Sequence, residues 1–230
     1  MRSLALLVLL GIAPGVLGAQ AVVPAHEEPR HRLVHEEAEL RVLDVEIPPG
    51  DTTLFHRHDT PIAYVFISPT PVNSQVLGDS WGNATRDTAP LAEMGAVIWD
   101  ETYATTPVEH RVTCLGNAPF RLIAVLNRGP GQDAGGREPL GPAGAAEAEG
   151  RWFRSTHHTL AAQETLDWDG HTRPVVLVQV SSGSASVVSE AGSTVDLRAQ
   201  GDFAVVRPGA PSRLSNTGDS PVTLAVVEVR

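Results

Sequence analysis

The chain has 230 residues and is 42% hydrophobic, enough for one large or two small domains with cores of their own. Seventeen basic against 27 acidic residues leave a net charge of −10, which argues against a nucleic-acid partner. Every basic residue is arginine, and the absence of lysine excludes Schiff-base chemistry, pyridoxal phosphate attachment and a P-loop lysine.

The chain opens with "MRSLALLVLLGIAPGVLGAQAVVP": a basic Arg2, an apolar run Leu4–Ile12, a Pro14–Gly15 break and a small-residue site near Ala19–Ala21. That order predicts a secretory signal over residues 1–21 and an exported protein, periplasmic or extracellular. The apolar run is too short to cross a bilayer and no later run is longer, so no membrane span is expected. A single cysteine, Cys114, excludes an intrachain disulfide.

Short β-rich runs follow: "LRVLDVEI", "TTLFHRH", "IAYVFI", "GAVIW", "EHRVTCL" and "FRLIAVL". Residues 129–150 are dense in Gly, Pro and Ala and read as a linker or long surface loop. Strands resume in "PVVLVQV", "ASVVSE", "DFAVV" and "VTLAVVEV". The expectation is an all-β chain of two β-sandwiches or barrels, residues 26–128 and 151–230, related by duplication.

Within "TLFHRHDTPIAYVFIS", His56 and His58 are two residues apart, so a strand points both imidazoles to one face and Arg57 to the other. Such a pair on an interior face needs partners, either a metal ion or hydrogen bonds within the core. Tyr64 and Phe66 alternate with Ile62 and are candidates to line the same pocket; Trp99 and Arg121 are weaker ones. Asp59 and Glu101 are the nearby carboxylates in sequence, both in turn-like stretches. His26, His31, His35, His157 and His158 are read as surface residues, and Cys114 as a buried thiol.

Gly50, five residues, His56, Arg57 and His58 resemble the opening of the first cupin motif, Gly-x5-His-x-His. The motif's glutamate falls at Ile62 or Ala63, neither of which has a donor atom. His110, followed by "RVTCLGNAPF", resembles the histidine of the second motif. In the second half Gly201, Gly209 and Asn216 match that motif, with Ser212 in the histidine position. Counting back from Gly183 puts Val176, His171 and Asp169 at the remaining ligand positions, a poor metal site.

This resemblance to a bicupin implies two double-stranded β-helix (jelly-roll) barrels in tandem after the signal. It further implies one divalent transition metal on His56, His58 and His110, Fe(II) first, with Zn, Mn, Ni or Cu as alternatives. Cupins with a three-histidine centre include dioxygenases that take small anionic chelating substrates. An oxygen-dependent oxidoreductase is therefore the leading expectation, and a non-catalytic ligand-binding or structural cupin module is the alternative.

Overall fold

The computed structural model describes residues 21–131, 139–141, 145–168, 171–189, 192–210 and 212–230. Apart from Ala21, the expected signal segment lies outside them. Runs rich in Val, Ile, Leu and Thr between turn residues form strands, because branched side chains pack well on a pleated surface. The first nine are β1 (Val22–Pro24), β2 (His31–Glu36), β3 (Leu40–Ile47), β4 (Phe55–His58), β5 (Ile62–Ser68), β6 (Val72–Val76), β7 (Val97–Asp100), β8 (Val108–Cys114) and β9 (Phe120–Asn127). They form two sheets, ordered β1-β4-β8-β6 and β2-β3-β9-β5-β7.

Nine more strands follow the same plan: β10 (Ala148–Glu149), β11 (Phe153–Leu160), β12 (Thr165–Trp168), β13 (Val175–Gln179), β14 (Ala185–Ser189), β15 (Thr194–Leu197), β16 (Phe203–Val206), β17 (Ser212–Asn216) and β18 (Val222–Val229). Their sheets are ordered β10-β11-β18-β13-β16 and β12-β17-β14-β15. Helix among the described residues is confined to one-turn 3-10 pieces at Ala25–Glu27 and Thr102–Ala104. No described helix is long and apolar enough to cross a membrane. The fold is all-β, as expected, with the sheets paired into β-barrels.

Three apolar clusters hold these sheets together. Leu43, Val45, Ile47, Ile62, Leu122, Ala124 and Cys114 fill the interior of the first pair of sheets. Leu160, Trp168, Leu177, Val187, Leu214 and Leu224 fill the second. The third cluster lies between the halves, where Val42, Val65 and Ile123 meet Val176, Val178 and Val227. The two five-stranded sheets are therefore covered on both faces. Strands buried that way read as continuous apolar runs, as "RLIAVL" and "VVLV" do, with no visible alternation.

Polar contacts tie the halves as well. The Asn127 amide Nδ2 donates to the carbonyls of Trp152 and Arg230, at 2.8 and 2.6 Å. Arg121 donates to both carboxylate oxygens of Asp44 and to the Gln200 carbonyl. Gly201 lets that guanidinium approach, since a Cβ there would lie 2.9 Å from Arg121 Nη2. Of the expected linker, residues 132–138 and 142–144 lie outside the described residues. In its described part Leu140 packs into the second interior and Ala148–Glu149 pairs with β11.

Candidate metal centre

Gly50 adopts φ +75°, a left-handed conformation that costs a side-chain-bearing residue about 1–2 kcal/mol, and its amide donates to the Cys114 carbonyl. The chain thus turns into β4 alongside β8. There His56 pairs directly with His110 across the ladder, while Arg57 faces outward to Glu109. His58 lies two residues on, on the same inner face as His56. The ring centroids of His56, His58 and His110 are 4.7 to 5.0 Å apart, so the structure brings the three sequence-chosen histidines together.

A fourth imidazole joins them. His31, at the start of β2, packs its ring 4.5 Å from that of His56. Donor atoms of His31, His56 and His58 all lie within 4.8 Å of one another. This corrects the reading of His31 as a surface residue: it is 7% exposed, opposite the interior residue Val45. A bulge between Leu33 and His35 then reverses the strand's facing. His35, which an unbroken strand would aim with His31, instead meets Phe203 of the second half.

The rings of His56 and His110 are oriented through Nδ1. That of His56 donates to the Leu54 carbonyl at 3.0 Å, which leaves a lone pair on Nε2. His110 Nδ1 lies 3.1 Å from the Ser74 hydroxyl. The Nε2 atoms of both are buried with no hydrogen-bond partner. An orphaned buried polar atom costs about 1–3 kcal/mol, so two on neighbouring rings call for a shared acceptor of lone pairs. Burial first, then the neighbouring imidazoles, lowers the pKa of His56 to about 3 and of His58 to about 2; burial and His31 lower His110 to about 4. All three are neutral at physiological pH, the state in which imidazole binds metal. The donor atoms of His31, His56 and His58 are close enough together to fit a divalent transition ion, and the His110 ring lies 4.7 and 5.0 Å from those of His56 and His58, outside that closest donor group.

The histidines border a cavity of about 260 Å³ whose other walls include Ile47, Ile62, Phe66, Phe120 and Leu122. Ile62 faces this cavity, whereas Ala63 packs between the halves, so Ile62 stands where the cupin motif has its glutamate. Tyr64 and Phe66 are on the cavity wall, as alternation requires. Tyr103 packs on the same core as Tyr64, and its ring stacks on that of His58 at 5.0 Å. Burial raises the pKa of both phenols.

Trp99 and Arg121 do not reach the cavity. Trp99 packs between the halves near Phe153, and Arg121 lies on that same outer face with Asp44. Both sit one residue out of phase with the inward positions of their strands. Cys114 belongs to the barrel core, its thiol 3.4 Å from the Ala118 carbonyl, and is not among the cavity residues. Neither candidate carboxylate approaches the histidines: Glu101 accepts from the Trp152 amide and Asp59 from Arg57 and Thr60. The carboxylate at the cluster is Glu28, 3% exposed and 2.6 Å from His31 Nδ1. Its only signal in the sequence is the spacing Glu28-x-x-His31, weak in isolation.

In the second half Val176 faces the first half, which leaves Val175 as the inward residue at the glutamate position. Asp169 lies outside the described residues. His158 is buried rather than on the surface, near Trp168, while His157 points the opposite way and donates to the Gly95 carbonyl. A larger cleft of about 460 Å³ runs past His35, Phe203 and Arg207, but among the described residues no comparable group of buried imidazoles lines it.

No protein-family model and no curated protein sequence matches the chain. Solved structures do. AerE from Microcystis aeruginosa is 11% identical and superposes over 88% of this chain and 98% of its own, with a TM-score of 0.59. A salicylate 1,2-dioxygenase from Pseudaminobacter salicylatoxidans is 14% identical over 84% of this chain and 71% of its own, at a TM-score of 0.56. A variant of that enzyme in complex with gentisate covers 90% of this chain and 76% of its own, at 14% identity and a TM-score of 0.58. At these identities the likeness is one of fold alone, an all-β barrel architecture consistent with the cupin motifs in the sequence.

Proposed function

We propose that the first barrel holds one divalent transition metal on His56, His58 and His110, and that the protein is an exported, oxygen-dependent bicupin acting on a small organic substrate. The buried, unpartnered Nε2 atoms of His56 and His110 carry this reading. Fe(II) is the first candidate for the ion, with Zn, Mn, Ni and Cu behind it. When bound, the ion would supply Lewis acidity and, if iron or copper, electron transfer to dioxygen.

The protein's own share is positioning and exclusion of water. Leu54 and Ser74 hold the His56 and His110 rings by Nδ1, so that Nε2 is the atom presented. Ile47, Ile62, Phe66, Phe120 and Leu122 give the site apolar walls, and among the described residues that line the cavity none is a carboxylate or an arginine. An anionic group on the substrate would thus find its counter-charge only at the metal, in a medium where that attraction is strong. Tyr64 on the cavity wall and Tyr103 stacked on His58 place two phenols beside the site. Because a solved neighbour binds gentisate, hydroxylated aromatic acids are the first substrates to try.

The test is elemental analysis of the protein from its exported fraction, followed by oxygen uptake with those acids. One metal per chain is expected, lost in His56→Ala and His110→Ala and kept in Ser212→Ala. Metal without oxygen uptake would move the protein to the ligand-binding class. A chain that retains no metal from any of the candidate ions would end the reading.

A further inference from the structure

Resting on that metal reading, we infer that His31 is a fourth ligand and that Glu28 replaces the absent motif carboxylate at one remove, as the anion behind a ligating histidine. Glu28 is almost wholly buried, and of its three partners His31 belongs to the histidine cluster and Leu54 holds His56. One oxygen accepts from the Arg30 amide and from His31 Nδ1, both at 2.6 Å; the other accepts from the Leu54 amide at 3.0 Å. The bond to Glu28 places the His31 proton on Nδ1 and leaves Nε2 as the donor atom. A carboxylate behind a ligating imidazole fixes the tautomer and raises the basicity of the coordinating nitrogen.

Leu54 makes the arrangement reach further. Its N–H goes to Glu28 and its carbonyl holds His56 Nδ1, so one carboxylate sets His31 directly and steadies the peptide that sets His56. The segment carrying Glu28 is itself fastened to the site, since β1 runs parallel to β4 with Val23 beside His56. A plain buried Glu–His pair bracing the 3-10 turn would need neither the Leu54 link nor a His31 ring packed 4.5 Å from His56. The resulting donor set is four imidazoles with one carboxylate behind them. A six-coordinate ion would keep two positions for other ligands.

The parent, His31→Ala and Glu28→Gln are stripped and titrated with Co(II), following affinity and the visible ligand-field spectrum, with far-UV circular dichroism to check folding. The expected result is about 10–100-fold weaker binding in Glu28→Gln at unchanged stoichiometry. His31→Ala should bind more weakly and show a spectrum altered in shape. Should His31→Ala fail to fold, Cu(II)-loaded parent protein decides by electron paramagnetic resonance, with coupling to four nitrogens expected. Parent-like affinity and spectrum in folded His31→Ala, or coupling to three nitrogens only, overturns the fourth-ligand assignment while leaving the metal centre standing. No Co(II) binding by the parent overturns both.

Discussion

Three imidazoles kept neutral by burial impose a pH dependence on the metal-free protein. Their folded pKa values, about 3, 2 and 4 for His56, His58 and His110, lie below the 6.5 of an exposed histidine. The unfolded chain therefore binds protons first as pH falls, and stability that is complete above about 6.5 is lost progressively beneath it. Each histidine contributes a slope of up to about 1.4 kcal/mol per pH unit in that window. Glu28 adds to the same trend at lower pH: burial works to raise its pKa, but His31 and the two amides outweigh burial and lower it. Urea midpoints of the stripped protein should fall steeply from pH 7 to pH 5, and less steeply in His110→Asn. A flat profile would mean that the rings are solvated in solution. Metal should shift the onset to lower pH, because protons and the ion compete for the same nitrogens.

At the scale of the strand, β5 offers a direct test of facing. Ile62 looks into the cavity and Ala63 into the packing between the halves. Ile62→Glu places a carboxylate beside the imidazoles; it should tighten metal binding and weaken azide binding, read by paired titrations. Stronger azide binding in that variant would contradict an open, carboxylate-free coordination sphere. Ala63→Glu buries an unpaired charge at a fully enclosed position and should cost several kcal/mol, seen as a large drop in melting temperature. Similar behaviour of the two variants would mean that the strand is rotated. The alternation that separates them was legible for Tyr64 and Phe66, once Ile62 was placed in the motif. Trp99 and Arg121 are candidates by residue type and not by alternation, and both occupy outward positions of their strands. The alternation was lost for His35, because a bulge inserts an extra residue that no local composition announces.

For the whole molecule, the apolar packing between the five-stranded sheets makes each half a poor independent unit. Expressed alone, residues 21–130 would expose Val42, Val65, Ile67, Ile123 and Val125 together, a contiguous patch of the kind that drives association. That fragment should aggregate or oligomerise by light scattering. Ile123→Ala in the full chain should cost about 2–5 kcal/mol. Nicking by protease is expected first in the Gly/Pro/Ala-rich residues 129–150, and the two products should still co-elute on gel filtration. Separation of the products on nicking would show the packing to be weaker than its burial implies.

Sequence alone determined the class of fold, since branched runs of strand length punctuated by Gly and Pro have few other ways to bury their side chains. It also determined that His56 and His58 share a face, because a pleated strand repeats every two residues. Which further groups meet them was decided by tertiary structure. His31 and Glu28 are 25 and 28 residues before His56. They reach the cluster only because β1 pairs with β4 and β2 closes the edge of the opposite sheet. Strand pairing of that kind is a non-local choice, set by how whole sheets bury their faces, and no spacing within a single strand encodes it.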